Sequence, residues 1–152
     1  MLKKKGVEEN DILIFQNKFG YVEVKTKCKI FFPKGLIGIT DSKTFCLADA
    51  NNDKYKSFKL LQSIESEQLC FLTLPVSLNN NIIKERDLLD AANILGINED
   101  KVATILLCST KSIDNKLKLV VNSRAPIFID LFNQTAFQYV LHNSNYSLAH
   151  SL

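Results

Sequence analysis

The chain has 152 residues, 46% of them hydrophobic and 23% charged, with a formal net charge of +3. That length suits one domain with a core of its own, and the balance excludes a disordered or collagen-like chain. Its strictly apolar runs, such as residues 12–15, fall far short of the roughly 20 residues that cross a bilayer.

Residues 1–9 read as a loose tail, leaving residues 10–152 as the folded domain. The tail carries lysines but no apolar h-region ahead of Glu8, so no signal peptide is expected and the cytosol is the expected compartment. From Ile12 the pattern has period two. In "YVEVKTKCKIFF", Val22, Val24, Thr26, Cys28, Ile30 and Phe32 share one side, and Glu23, Lys25, Lys27 and Lys29 the other. This predicts one half-buried strand, or two that meet near Lys25–Thr26.

"FFPKGLIGI" follows. Gly35 and Gly38 fit neither GxxxxGK[ST] nor GxGxxG, and the next residues are strand-like rather than helical, so a phosphate cradle is rejected. A turn with Pro33 at its second position and two glycines free to take positive φ is the better account. Leu36 and Ile37 are then buried or offered to a partner.

"SKTFCLADA" is a further strand, closed by the polar "NNDKYK". Asp49, Asn51, Asn52 and Asp53 have the composition of a calcium loop but lack the glutamate at its twelfth position. "FKLLQSI" and "LCFLTLPV" are two strands joined by "ESEQ", with Pro75 expected to end the second. The one helix runs over residues 84–95, where Leu88, Ala91, Ala92 and Leu95 share a face. Gly96 stands at its C-terminal cap, and Asn98 caps a short turn through "EDK".

"VATILLCST" returns to strand and "SIDNK" turns. "LKLVVNSRAPIFIDL" leads into a last strand, "TAFQYVLH", and Pro126 requires an edge or a bulge. Eight or nine strands and one short helix make a mainly β, small barrel-like single domain.

Catalytic equipment is sparse. His142 and His150 lie in the last eleven residues with no carboxylate at close spacing, and no nucleophile elbow is present. Cys28, Cys46, Cys70 and Cys108 form no CxxC or Cys/His pair, so zinc is not expected; they read as reduced thiols buried in strands. No cofactor is implied, and the chain does not read as an enzyme. The positive charge comes from seventeen lysines and only Arg86 and Arg124, beside fourteen asparagines. Arginine is the preferred reader of phosphates and bases, so direct nucleic-acid binding is not the first expectation.

"FFPKGLIGI" resembles the Phe-Pro-x-Gly-Leu/Ile-x-Gly-Phe motif of the FliW family of flagellar assembly factors. Four further segments are similar to that family in its order: "KFGYVEV", "FKLLQSI" with "LCFLTL", "NSRAPIFID", and "QYVLHNSNYSLAHSL". The resemblance spans residues 10–152. It implies a compact β-barrel-like fold and a monomeric, non-enzymatic regulator. Such a regulator binds CsrA, an RNA-binding translational repressor, and also flagellin, in a partner switch, with no membrane involved. Phe32, Pro33, Gly35, Leu36 and Gly38 match the first motif, and Leu61, Gln62 and Ser63 the second. Asn122, Ala125, Pro126 and Ile127 match the third, and Tyr146 and His150 the last. The apolar, proline and glycine members are expected to be structural; Gln62, Asn122 and Tyr146 are the expected partner contacts. Ile39 and Leu60 stand where the family usually has aromatics. The family is typically acidic, so a local acidic set is needed here, from Glu65/Glu67, Glu85/Asp87/Asp90 or Glu99/Asp100. The alternative is a single-stranded-RNA-binding barrel using Lys25, Lys27 and Lys29 beside Phe31 and Phe32.

Overall fold

The computed structural model describes residues 11–152; the expected tail over residues 1–9 lies outside them. Alternating side chains build two kinds of layer. β1 (Ile12–Asn17) and β2 (Gly20–Lys25) form a hairpin that buries Leu13, Phe15, Val22 and Val24 on one face. The period-two run does divide at Thr26, through a single 3-10 turn (Thr26–Cys28), before β3 (Lys29–Phe31). That turn rotates Cys28 out of the alternation, so its thiol is exposed rather than buried as expected.

β4 (Thr44–Asp49), β5 (Lys59–Ser63) and β6 (Cys70–Val76) continue antiparallel. Pro75 does not end β6. Pairing with β5 stops at Thr73, so the absent N–H at Pro75 costs no ladder bond on that side, and the strand continues against β7. α1 (Glu85–Ile94) buries Leu88, Ala91 and Ala92 and ends at Gly96, whose φ is +75°. Asn98 accepts a bond from the Asp100 N–H and opens a 3-10 turn (Glu99–Lys101).

β7 (Val102–Ile113) turns at Asp114–Asn115, both with positive φ, into β8 (Lys116–Val121). β9 (Ile127–Asp130) and β10 (Thr135–Gln138) form the next hairpin. β8 and β9 lie in succession along the same β7 partner, and residues 122–126, including Pro126, bulge out between them. β11 (His150–Ser151) pairs with β8 and was not foreseen. The described residues therefore hold eleven strands rather than eight or nine.

The pairing β7–β6–β5–β4–β3–β10–β9 returns to β7 and closes a ring. Its thinnest joint is the parallel contact of β3 with β10, one pair at Phe31 and Thr135. The lumen is filled by Ile30, Phe32, Leu36, Phe45, Leu61, Ile105, Ile127, Ile129 and Ala136. The β1–β2 hairpin covers the outside of β4, β5 and the start of β6 over Cys46, Ala48, Leu60 and Cys70. α1 and the C-terminal segment cover the other side over Leu106, Val121 and Phe128. Strands under these covers are buried on both faces, which suits a barrel with a patch of sheet packing on each flank. Among the described residues no helix is long and apolar enough to cross a membrane.

Candidate functional site

The proline-glycine segment forms two successive turns. The Gly35 N–H donates to the Phe32 carbonyl at 2.9 Å, with Pro33 and Lys34 between them. Leu36 and Ile39 then exchange both backbone bonds across Ile37 and Gly38, at 3.0 and 2.9 Å. Gly35 and Gly38 have φ of +65° and +83°, as the turn reading requires. Phe32 is buried edge-on against Phe45, with ring centroids 5.0 Å apart, and Leu36 enters the lumen. Ile37 is exposed at the tip.

That tip is tied to the bulge at residues 122–126 by a residue the sequence did not single out. Gln138 accepts the Ile37 N–H at 2.8 Å and donates to the Ala125 carbonyl at 3.1 Å. Asn122 shapes the bulge from within: its Oδ1 accepts the Arg124 and Ala125 N–H groups at 3.1 and 3.0 Å. Ala125 is buried, and the Pro126 carbonyl accepts the Tyr139 N–H. Ser123 joins the bulge to the C-terminal segment, its Oγ donating to the Ser147 carbonyl at 3.1 Å.

One residue earlier, Tyr146 is buried beneath α1. Its hydroxyl donates to the Asp87 carboxylate and accepts the Lys84 N–H at 3.1 Å. It thereby satisfies an orphan amide at the start of α1, a helix whose cap residue offers no side-chain bond. Burial, and then the Asp87 carboxylate, push the phenol above its ordinary value. Turn, bulge, C-terminal segment and helix are thus linked by short hydrogen-bonded steps.

Gln62 belongs to a different network, under the β1–β2 hairpin. It is 0% exposed. Its Oε1 accepts from Asn17 at 2.8 Å, and its Nε2 donates to the Ser63 and Glu67 carbonyls at 3.0 and 3.1 Å. Gln62 and Tyr146 therefore have no free polar surface for a partner; they fix the position of the hairpin and of α1. Asn122, half-buried, spends its acceptor on the bulge.

The acidic sets divide in the same way. Glu65, exposed at the β5–β6 turn, accepts the Lys43 and Thr44 N–H groups at 2.9 Å each, and Glu67 accepts the Gln16 N–H. Glu85, Asp90, Glu99 and Asp100 are exposed on α1 and the turn packed beside it. Asp87 and Asp90, with Ala91 and Ile94, form one wall of a groove of about 180 Å³ whose other wall is Tyr139, Leu141, His142 and Asn143. Ile94 is 62% exposed, an apolar contact at the end of an acidic helix face. Lys84, Arg86 and Lys101 are the basic residues interspersed there.

The remaining candidates are dispersed. Lys25, Lys27 and Lys29 are exposed, but Phe32 is enclosed in the lumen, so of the two aromatics beside them only Phe31 reaches the surface. His150 sits in β11, and the His142 Nε2 lies 3.0 Å from the Tyr139 hydroxyl. Burial pushes the thiols of Cys46, Cys70 and Cys108 up to about 12, 11 and 12, which keeps them protonated and unreactive at neutral pH. Asn51 donates to the Tyr21 carbonyl of β2, and Asn52 accepts the Lys54 N–H within its own turn.

The family model described as FliW protein matches residues 13–152. The flagellar assembly factor FliW of Natranaerobius thermophilus is 33% identical over 135 residues, covering 88% of this chain and 87% of the relative. That of Leptospira interrogans serovar copenhageni is 30% identical over 134 residues, covering 86% and 85%. That of Clostridium botulinum strain Alaska E43 is 29% identical over 143 residues, covering 92% and 98%. A crystal structure of the flagellar assembly factor FliW superposes with a TM-score of 0.66 at 22% identity, covering 91% of this chain and 95% of that one, and shares the fold. The chain belongs to the FliW family.

Proposed function

We propose that this FliW-family chain is a flagellar assembly factor that works by binding proteins rather than by catalysis. It holds the RNA-binding repressor CsrA in one state and flagellin in the other, as a monomer in the cytosol. The family match over residues 13–152 supports the flagellar role. The observation that carries the CsrA half is the acidic face of α1. Glu85, Asp90, Glu99 and Asp100 present exposed carboxylates on α1 and the turn beside it, with Ile94 exposed on the side of Asp90. They outnumber Lys84, Arg86 and Lys101 there, a local field suited to a basic partner although the whole chain is positive. Gln62, Asn122 and Tyr146 serve this function by holding the surface in shape.

Calorimetric titration of the full chain with purified CsrA and with flagellin, singly and in competition, tests the reading. Glu85→Lys/Asp90→Lys is expected to weaken CsrA binding at least tenfold while leaving the fold intact by circular dichroism. Failure of both proteins to bind, with tight single-stranded RNA binding that falls steeply with salt, overturns it in favour of the Lys25/Lys27/Lys29 surface.

A further inference from the structure

β7 and β8 begin in the sheet and end outside it. β6 pairs with β7 only over Thr104–Leu107, and β11 reaches β8 only at Val120–Val121, with Leu152 N–H 3.5 Å from the Leu119 carbonyl. Beyond those points residues 109–118 form a two-stranded arm that is solvent-exposed on both faces, apart from a half-buried Ile113. Such a ribbon is marginal alone and advertises its edges.

The register defines what the arm displays. Ile113 and Lys116 flank the two-residue turn, which makes them a hydrogen-bonded pair, and Lys111 opposite Lys118 is the next. The backbone groups of Thr110 and Ser112 therefore point away from β8 along one edge, and those of Leu117 away from β7 along the other. Neither edge has a strand partner at these residues among those described. Lys111, Lys116 and Lys118 share one face, with Lys111 and Lys118 directly opposed. Like charges in that relation destabilise a ribbon. The single acidic residue of the arm is Asp114, in the turn. Leu117, 76% exposed, lies on the other face.

We propose that the β7–β8 arm is a docking site for an acidic, extended polypeptide segment of a partner. The segment adds as a strand to a free edge of the arm and sets its carboxylates beside Lys111, Lys116 and Lys118. Strand addition supplies main-chain hydrogen bonds, and alternate side chains supply the selection. The three lysines relieve their own repulsion on the incoming acid. A nucleic acid fits less well, because the arm has neither arginine nor an aromatic residue on which a base can stack. This site is separate from the α1 face and does not depend on the CsrA reading.

The test is an NMR titration of the ¹⁵N-labelled full chain with a capped octapeptide of alternating glutamate and valine. Its glutamine counterpart and an eight-nucleotide single-stranded RNA serve as comparators. Amide shifts confined to residues 109–119, weaker binding of the glutamine peptide, and at least a tenfold loss in Lys111→Glu/Lys118→Glu are expected. Lys111→Thr/Lys118→Thr, which retains strand propensity, is expected to lose affinity with unchanged shifts elsewhere in the barrel. Shifts outside the arm, no shifts at millimolar peptide, or tighter binding of the RNA at 150 mM salt would each overturn the proposal.

Discussion

Gly35→Ala separates two demands that one turn makes on its glycines. At Gly35 the backbone has φ of +65°, and an added Cβ would lie 2.8 Å from the Ile39 carbonyl oxygen and 2.9 Å from the Thr40 Cα. At Gly38, with φ of +83°, an added Cβ meets nothing within 4 Å. Both alanines take on the left-handed penalty, about 1–2 kcal/mol for an L-residue. Only the one at Gly35 also collides with backbone, which is held by the paired bonds of Leu36 and Ile39. Overpacking of that kind adds about 1–3 kcal/mol, so Gly35→Ala is expected to cost about 2–5 kcal/mol and Gly38→Ala about 1–2 kcal/mol. In urea unfolding, a difference of about 2 kcal/mol separates the two midpoints by about 1 M at a slope typical of a domain this size. Equal losses at the two positions, or a larger loss at Gly38, would refute the reasoning that contact rather than φ ranks them.

Tyr146→Phe keeps the ring in its cluster but removes the donor to Asp87 and the acceptor for the Lys84 N–H. Loss of a hydrogen bond to a charged group is expected to cost about 1.5–3 kcal/mol, read as a lower thermal midpoint, with hydrogen exchange fastest at the first turn of α1. Asp130 accepts the Asn133 and Phe132 N–H groups at 3.1 and 3.0 Å, and these bonds, the Asn133 amide first, hold its carboxyl below the usual range. A depressed folded value stabilises the fold above the ordinary aspartate range and loses that contribution as pH falls through the folded value. Urea midpoints of the parent should therefore decline on acidification with a component that Asp130→Asn lacks. Lys118→Glu turns the opposed Lys111–Lys118 pair into an attractive one; stability is expected to rise by about 0.2–1 kcal/mol at low salt, and a fall would contradict the register.

The barrel was legible because its signals are local: alternation in β2, strand-forming residues in β4, the helical face of α1, glycine after its end, and turn chemistry at Pro33–Gly38. What the sequence hid is the second layer. β5 and β9 are buried on both faces because the hairpin lies over one and α1 with the C-terminal segment over the other. A polar residue in a strand reads as a surface position from its letters alone, whereas Gln62 is buried and tied to the hairpin and the β5–β6 turn. Tyr146 and Asp87 are 59 residues apart, and Ile37 and Gln138 are 101 apart. No local period reports such pairs. Cys28 was missed for the opposite reason, since a three-residue 3-10 turn breaks a period that the letters alone continue.

The same distinction between sum and arrangement decides how the charge is read. A net charge of +3 on 152 residues is small, and screening limits an exposed charge to about 8–10 Å in physiological salt. A partner at α1 therefore meets Glu85, Asp90, Glu99 and Asp100 before it meets the chain's total. One at the arm meets Lys111, Lys116 and Lys118. Glu65 and Glu67 lie in the β5–β6 turn, outside both sets, where their carboxylates accept backbone N–H groups. Exposed acids also stand elsewhere, at Glu23, Asp41, Asp49 and Asp53, and exposed bases at Lys18, Lys34, Lys54 and Lys56, so each set acts only over its own neighbourhood. Two surfaces of opposite local sign are thus available to partners of different charge. Salt should weaken both contacts, while reversing charge on one face should leave the other's affinity unchanged.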